Sequence, residues 1–322
     1  MIYFIVNPAA GSGRAKTAVS IIERIMRGHG IKSTESTESA EYSLVYTNGP
    51  WDYARVSGLI DLTAAKAIVC VGGDGTVQEY VGLAAGRDIN FGIIPAGSGN
   101  DFLYSLPDGG RKFASFEEKI IFYTEKIIKG EIMRADAVML KESSGVSGVS
   151  GVSGIVSGEK YFFNIGGTGI DIQVLINALP LKKFFGGAAY FLSLIKNAVT
   201  YKAEEMTLTI DGKPETGKFL VLAVCNGAYY GGHMKIAPPA VINDGFITLC
   251  KVRNMPRPKI MAMFPSVKSG KHARLEEVSF VNCSTVKLEF SGRRTINLDG
   301  NLIDFESPLT FEIAKGAVRL IV

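Results

Sequence analysis

The sequence predicts an α/β fold in its first part and an antiparallel, β-rich fold in the remainder. In the first part, short apolar runs alternate with helical periods, which is typical of a parallel sheet with helices on its faces. From about residue 135 onward, strand-like segments follow one another and are separated by turn residues, which favours an antiparallel sandwich. A chain of 322 residues also suits two domains better than one small core.

Each element is predicted from its own local pattern. The first part has apolar runs that predict strands at 2–6, 67–71 and 91–94, and helical periods near 15–27, from about 76, and between about 115 and 129. The second part has strand-like runs at 135–140, 160–165, 206–210, 218–225, 246–252, 278–282, 286–290 and 295–298. Two last segments, 308–313 and 317–322, fit either domain.

Composition excludes several classes of protein. A formal net charge of +4 is too small and too evenly spread to indicate a nucleic-acid partner, although it favours an anionic membrane surface over repulsion from it. The longest uncharged stretch, near 184–195, is shorter than the roughly 20 residues that span a bilayer. We therefore expect no transmembrane segment and no nucleic-acid binding.

The cysteines and the amino terminus indicate the compartment. Cys70, Cys225, Cys250 and Cys283 stand alone in apolar contexts, which is typical of reduced core thiols rather than of disulfides or a zinc site. The first six residues lack a basic region and a cleavage site. We expect a cytoplasmic protein.

The most informative motif is Gly72-Gly73-Asp74-Gly75-Thr76, directly after the apolar run 67–71. Glycines after a buried strand leave backbone N–H groups unobstructed, with a helix beginning at the same point, so the turn is suited to phosphate. A carboxylate beside phosphate, here Asp74, is usually tolerated when a divalent cation or a proton donor lies between them. The motif therefore predicts a site for a phosphorylated nucleotide.

Two more small-residue turns follow predicted strands. Residues 7–13 read Asn-Pro-Ala-Ala-Gly-Ser-Gly, and residues 94–102 read Ile-Pro-Ala-Gly-Ser-Gly-Asn-Asp-Phe. In the second turn, Ser98 and Asn100 can donate to phosphate, and Asp101 can face a metal ion. Each turn alone could be an ordinary connection, but three in one parallel sheet indicate a nucleotide site.

Two later segments place an aspartate beside a glycine. Residues 237–246 end in Asn-Asp-Gly-Phe, and residues 297–301 read Asn-Leu-Asp-Gly-Asn. Either segment by itself could be a simple β-turn, because Asp-Gly is a common turn signal.

Taken in order, these motifs resemble the diacylglycerol kinase catalytic family, which includes bacterial soluble lipid kinases and sphingosine kinases. The order is Asn-Pro-x-x-Gly, GGDGT, Pro-x-Gly-Ser-x-Asn-Asp-Phe, Ala-Pro-x-Ala-x-x-x-Asp-Gly and Leu-Asp-Gly, and it covers nearly the whole chain. The resemblance implies a Rossmann-like amino-terminal domain (1–134, completed by about 307–322) of the NAD kinase and diacylglycerol kinase type. It also implies a carboxy-terminal β-sandwich (135–306), with ATP and Mg²⁺ in the cleft between the two.

The resemblance also implies roles for individual residues. Nucleotide contacts fall on Asn7, Pro8, Gly11, Thr47, Gly73, Asp74, Gly75, Thr76, Glu79, Ser98, Asn100 and Asp101. Asp74, Asp101 and Asp244 would form a metal and water network, with the carbonyls of Val241 and Phe246 completing a cation site. Asp299, which matches the aspartate of the family's Asp-Gly-Glu, would be the general base for a lipid hydroxyl.

The chain departs from the family pattern at several positions. Asn301 replaces the usual Glu, Gln78 replaces an Asn, and Asn243, Thr248 and His233 also differ. The leading hypothesis is an ATP-dependent lipid kinase that acts on diacylglycerol to give phosphatidic acid. An NAD kinase-like enzyme, or a lipid- or nucleotide-binding protein with weakened catalysis, stays open as an alternative.

The lipid side is predicted from apolar segments with basic edges at 179–202 and 253–271. A core helix with solvated ends is an equally good interpretation of these segments. Asp171 could bind a lipid head hydroxyl or could act as a structural cap. We expect peripheral contact at the inner membrane face and a possible homodimer, and we interpret the Gly-Val-Ser repeat at 144–154 as a loop.

Overall fold

The computed structural model describes residues 1–33, 41–49, 52–142, 159–174, 176–177, 193, 196–197 and 200–322. Its first part contains β1 (Ile2–Val6), α1 (Arg14–Gly28), β2 (Tyr42–Tyr46), α2 (Tyr53–Gly58), β3 (Ala67–Gly72), α3 (Asp74–Tyr80), β4 (Asn90–Pro95) and α4 (Phe116–Lys129). The remainder contains β5 (Ile132–Glu142), β6 (Glu159–Phe162), β7 (Ile165–Gly169), β8 (Glu205–Ile210), β9 (Lys213–Cys225), β10 (Ile247–Arg253), α5 (Arg257–Val267), β11 (Val278–Cys283), β12 (Thr285–Glu289), β13 (Arg293–Leu298), β14 (Asn301–Glu306) and β15 (Leu309–Ile321).

The first part is a parallel sheet in the order β4-β3-β1-β2. Strand β3 lies at its centre and is buried along its whole length, which explains the continuous apolar run 67–71. Helices α1 and α4 pack against each other, and the apolar side of α1 includes Ile22 and Met26. The predicted α/β organisation is confirmed. The sequence analysis missed β2 and α2, because both are short and carry mixed polar and apolar residues.

The last strand joins this sheet to the rest of the molecule. Near its end β15 pairs parallel with β4, with Leu320 opposite Phe91. Its residues 309–312 pair antiparallel with β12, and β5 pairs antiparallel with β15 from residue 309 to residue 321. The segments 308–313 and 317–322 therefore form one strand, with a register shift between Ala314 and Val318. Strand β5 also runs without a break across residues 134 and 135.

The β-rich part is antiparallel, as predicted. Strands β14, β13, β7, β9 and β8 are neighbours in that order, and β10 and β11 extend the sheet from β9. Its core is a cluster of buried apolar side chains that includes Phe162, Phe219 and Phe311. The structure adds β7, β14 and α5 to the predicted elements, because the predicted strand 160–165 corresponds to β6 and ends where β7 begins.

The four cysteines are buried and unbridged, as expected for core thiols. Among the described helices, none combines the length and the hydropathy that crossing a bilayer requires. The Gly-Val-Ser repeat at 144–154 and most of the apolar segment at 179–202 lie outside the described residues.

Candidate active site

Two glycine turns touch at the carboxyl ends of β3 and β4. The N–H groups of Ala96 and Gly97 both donate to the carbonyl oxygen of Gly72, at 2.9 and 3.0 Å. A Cβ on Gly97 would lie 2.4 Å from the Cα of Gly73, which is closer than real Cβ contacts, so the two backbones meet this closely only because residue 97 is glycine. The predicted GGDGT and Pro-x-Gly-Ser turns therefore form one continuous wall.

Asn100 closes the second of these turns. Its side-chain amide donates to the carbonyl oxygen of Gly97 at 2.9 Å, and its Oδ1 accepts from the N–H of Gly97 at 3.1 Å. Asn100 is buried and has a left-handed backbone with a φ of 57°, which asparagine tolerates better than most residues. Asn100 therefore shapes the turn and presents Ser98 to solvent.

The ends of β1 and β2 supply the neighbouring part of the site. The Asn7 side chain donates to the hydroxyl oxygen of Thr76 at 3.1 Å, which ties the first turn to the GGDGT turn. The hydroxyl of Thr47 is buried and has no hydrogen-bond partner among the described residues. A buried hydroxyl without a partner is a candidate ligand contact.

Asp299 lies in the turn between β13 and β14 and is held by the backbone of the opposite segment. Its carboxylate accepts from the N–H groups of Phe163 at 2.7 Å, Asn164 at 3.0 Å and Ile165 at 2.6 Å. The turn also gives Asp299 a φ of 49°. Three backbone donors fix the position of this carboxylate more firmly than a rotatable side-chain partner would.

Burial makes Asp299 an unusual acid. Loss of solvent raises the pKa of Asp299 to about 7, although the three backbone N–H groups act in the opposite direction. The charge of Asp74 adds to the increase in this pKa. A carboxylate with a pKa near neutrality can take up a proton and release it at physiological pH, as a general base must.

Asp74 and Asp101 converge above Gly99. A Cβ on Gly99 would lie 3.0 Å from Oδ2 of Asp74 and 3.4 Å from Oδ2 of Asp101. Burial and the nearby Asp101 carboxylate raise the pKa of Asp74. Asp101 in turn accepts from the N–H groups of Gly232 at 3.0 Å and His233 at 2.6 Å, so it joins the two parts of the chain. Two facing carboxylates are suited to a divalent cation between them.

A cavity of about 240 Å³ opens in front of these carboxylates. Its polar lining includes Asp74, Asp101, Asp171 and Asp299, and its apolar lining includes Ile165, Val174, Met234 and Phe264. The Tyr230 hydroxyl donates to Oδ2 of Asp171 at 3.3 Å, while Oδ1 is buried without a partner among the described residues. The cavity therefore offers a polar end next to Asp299 and an apolar side toward α5.

Comparisons with known proteins agree with this architecture. The family description "Diacylglycerol kinase catalytic domain" matches residues 1–140, and "YegS C-terminal NAD kinase beta sandwich-like domain" matches residues 165–322. The chain belongs to the diacylglycerol kinase family. This membership confirms the predicted enzyme class, a lipid kinase, and implies ATP as the phosphoryl donor.

Several proteins that are similar to this chain are named diacylglycerol kinases. A diacylglycerol kinase of Mycobacterium tuberculosis (strain ATCC 25618 / H37Rv) is 27% identical over 314 residues, covering 96% of this chain and 90% of the relative. A diacylglycerol kinase of Bacillus subtilis (strain 168) is 27% identical over 237 residues, covering 72% and 70%. The crystal structure of a diacylglycerol kinase from Bacillus anthracis str. Sterne has a TM-score of 0.71 at 20% identity, covering 99% of this chain and 96% of that one, and supports the fold.

In this kinase, the predicted cation residues 241–246 do not line the cavity that holds Asp74, Asp101 and Asp299. Asp244, Val241 and Phe246 are exposed, and Oδ1 of Asp244 accepts from the N–H of Phe246 at 2.9 Å. No hydrogen bond or ion pair joins Asp244 to Asp74 or Asp101 within the described ranges. In the part of the chain that the structure describes, no three His, Cys, Asp or Glu residues are grouped to hold a metal ion. The metal role of this turn stays a prediction.

Asp136 is a functional candidate that the sequence analysis missed. Its carboxylate accepts from the N–H groups of Gly245 at 2.7 Å and Gly316 at 2.6 Å, so it fixes the 241–246 turn against β15. The available signal was a carboxylate inside the apolar run 135–140, since an aspartate buried in a strand requires specific partners.

Proposed function

We propose that this kinase transfers the γ-phosphoryl group of ATP to the hydroxyl of diacylglycerol, giving phosphatidic acid at a membrane surface. The observation that carries the proposal is the cavity in which the fixed Asp299 carboxylate faces Asp74 and Asp101 and adjoins an apolar side. A polar end for a hydroxyl and an apolar side for an acyl chain match a lipid alcohol. The names of the relatives point to the same lipid.

Asp299 would act as the general base. The hydroxyl oxygen forms a bond to the γ-phosphorus, and the bond from that phosphorus to the bridging oxygen of ATP breaks. ADP leaves with that electron pair, while the hydroxyl proton passes to Asp299. The backbone donors from residues 163–165 keep the carboxylate oriented without taking its charge away.

The nucleotide would lie along the wall formed by the strand ends. Its contacts would be Asn7, Pro8, Gly11, Thr47, Gly73, Asp74, Gly75, Thr76, Glu79 and Ser98, with Asn100 shaping the turn and Asp101 facing the phosphates. The unpartnered hydroxyl of Thr47 supports this placement, as do the backbone N–H groups of residues 73–75, which donate to no group among the described residues. Mg²⁺ would be held by Asp74 and Asp101 and would neutralise phosphate charge when bound. We retain the 241–246 turn as a separate candidate cation site.

The lipid would approach along α5. Phe264 of α5 lines the cavity, and Met261, one turn earlier, is 42% exposed. Exposed basic residues lie at both ends of this helix, namely Arg257, Lys268 and Lys271. An exposed apolar side chain between basic residues is suited to an anionic membrane surface.

We infer a two-domain division, with 1–134 completed by 307–322 and with 135–306 as the second domain. The parallel pairing of β15 with β4 supports the return of the chain end to the first sheet.

The test is phosphoryl transfer by the purified full-length protein. Labelled ATP and Mg²⁺ would be supplied with diacylglycerol, with other lipid alcohols, and with NAD, in separate reactions. We expect label in phosphatidic acid with the native protein and none with Asp299→Asn. Label in NADP would overturn the proposal in favour of an NAD kinase, and nucleotide binding without transfer to any acceptor would favour a binding protein.

A further inference from the structure

A second cavity lies beside the acceptor cavity and has the opposite charge. It measures about 210 Å³ and is lined by residues 97–100 together with Arg14, Arg111 and Lys119. Its one lining carboxylate, Asp108, forms an ion pair with Lys126. None of the three lining cations has a carboxylate partner among the described residues. The cavity is therefore electropositive.

The two cavities share a wall. Residues 97–100 line the basic cavity and Asp101 lines the acidic one, while His233 faces the first and Met234 the second. The acceptor cavity holds four carboxylates, which repel a triphosphate. The basic cavity, on the other side of the shared wall, offsets that repulsion. Its positive charge attracts the phosphate groups to one side of the four carboxylates.

The basic side chains are held in place by neutral partners. Arg14 donates through Nε to the carbonyl oxygen of Gly11 and through Nη2 to that of Gly97, both at 3.1 Å, and its other N–H groups have no partner among the described residues. Arg111 stacks on the Phe122 ring, 4.2 Å from its centroid. Basic side chains that are fixed in position and still have N–H groups without partners are typical of a phosphate-binding site.

Lys119 is a half-buried cation in the lining of the basic cavity. Burial and the neighbouring Arg14 lower the pKa of Lys119, and the carboxylate of Asp74 opposes this decrease. The charge of Asp74 therefore acts on the ammonium group of Lys119. A bound anion would relieve the crowding of cations between Lys119 and Arg14.

The turn itself adds backbone donors. The N–H groups of Ser98 and Gly99 donate to no other group in the described parts of the chain, and both residues line the basic cavity. Free backbone N–H groups beside fixed cations form a concave surface for an oxyanion.

We propose that Arg14, Lys119 and Arg111, with the N–H groups of Ser98 and Gly99, form a binding subsite for the terminal phosphates of the donor nucleotide. This proposal deepens the proposed function and rests on it for the nature of the donor. Phosphate groups occur in nucleotides, as free anions and in lipid headgroups, so the test separates these sources.

The experiment is calorimetric titration of the full-length protein with tripolyphosphate, ATP and AMP, at about 50 and about 200 mM salt. The variants are Lys119→Met and Arg111→Met, and the matched controls are Lys16→Met and Lys112→Met, which remove exposed lysines outside the cavity. We expect Lys119→Met to weaken tripolyphosphate and ATP at least about tenfold while AMP and the controls change little, since a charged hydrogen bond to phosphate is lost. Unchanged tripolyphosphate binding by folded Lys119→Met and Arg111→Met would overturn the subsite.

Vesicle binding distinguishes lipid headgroups from the other sources of phosphate. The same variants would be sedimented with phosphatidylcholine vesicles with and without phosphatidylglycerol. Loss of vesicle binding together with native ATP affinity would assign the cations to a lipid headgroup and overturn the proposal. Conversely, tripolyphosphate binding that depends on Lys119, in a protein that phosphorylates no lipid, would contradict the proposed function and leave the subsite intact.

Discussion

The side-chain amide of Asn301 donates to Oε1 of Gln78 at 2.6 Å. It also approaches the carbonyl oxygen of Gly75 at 3.2 Å, while the amide of Gln78 donates to the carbonyl oxygen of Tyr161 at 3.2 Å. Two of the positions at which the chain departs from the family pattern are therefore partners of each other. Together they tie the turn that carries Asp299 to the GGDGT turn by neutral hydrogen bonds.

The first prediction concerns this pair. Asn301→Glu should lower kcat at least about tenfold, because a carboxylate cannot donate to Gln78 and its charge lies beside the phosphate turn. Adding Gln78→Asn, which restores the family's Asn and Glu combination, should recover part of the loss because the new amide can donate to the glutamate. Steady-state kinetics of the two single variants and the double variant measure the coupling. Purely additive effects would show that the two side chains act independently.

The second prediction concerns Asp299 and pH. The pKa of Asp299 in the folded protein, about 7, exceeds its ordinary value of 3.8, so between these values the folded state holds a proton that the unfolded state releases. Stability therefore decreases as pH rises, by up to about 1.4 kcal/mol per pH unit from this residue. Asp299→Asn should remove this component from urea unfolding measured between about pH 4 and pH 7, whereas Glu306→Gln on the exposed end of β14 should keep it. If the free energy of unfolding had the same slope against pH in the native protein, Asp299→Asn and Glu306→Gln, the raised pKa of a buried Asp299 would be contradicted.

The third prediction concerns the contact of the two glycine turns. Gly97→Ala places a methyl group 2.4 Å from the Cα of Gly73, so the turns must separate. We expect a loss of stability of about 1–3 kcal/mol, together with weaker ATP binding. Gly28→Ala is the control, because nothing lies within 4 Å of its Cβ. Thermal unfolding and ATP titration measure both effects, and a Gly97→Ala protein with native affinity would show that the turns can separate without harm.

The fourth prediction concerns the membrane side of the kinase. Met261→Ser should reduce activity on diacylglycerol in anionic vesicles about tenfold or more, because about 1.5–3 kcal/mol of apolar burial is lost when a large side chain no longer inserts. Activity on a short-chain diacylglycerol below its aggregation concentration should change little. Leu59→Ser, at an apolar residue that is 56% exposed at the end of α2, is the matched control. Equal losses with both substrates would place Met261 in the acceptor cavity rather than at the membrane.

Sequence reasoning recovered the elements whose pattern is strong. Strands β1 and β3 and helix α4 were predicted to within about a residue at each end, because continuous apolar runs mark the strands and a clear helical period marks the helix. Strand β2 was missed because it is short and its buried residues do not alternate regularly with exposed ones. Strand β15 was predicted as two segments, since the residues 314–317 at its register shift interrupt the apolar pattern.

Some residues of the candidate site were also identified from the sequence, and others were found only in the structure. Glycine turns after strands identified Asp74 and Asp101, because such turns have a recognisable chemistry. Asp299 was identified only through the family resemblance, since its Asp-Gly pair alone could be a simple β-turn. Asp136, Arg14 and Lys119 carry no motif, because each acquires its role from residues that are distant in the chain.

By itself, the sequence determined the α/β and β-rich parts, the three glycine turns and the aspartates beside them, because each follows from a short run of residues. The tertiary structure decided which of these aspartates meet. It brought Asp74, Asp101 and Asp299 to one cavity, and it paired Asn301 with Gln78. It also left Asp244 on an exposed turn. The physical reason is that burial and contact between residues far apart in the chain depend on how the sheets join, and no local pattern encodes that junction.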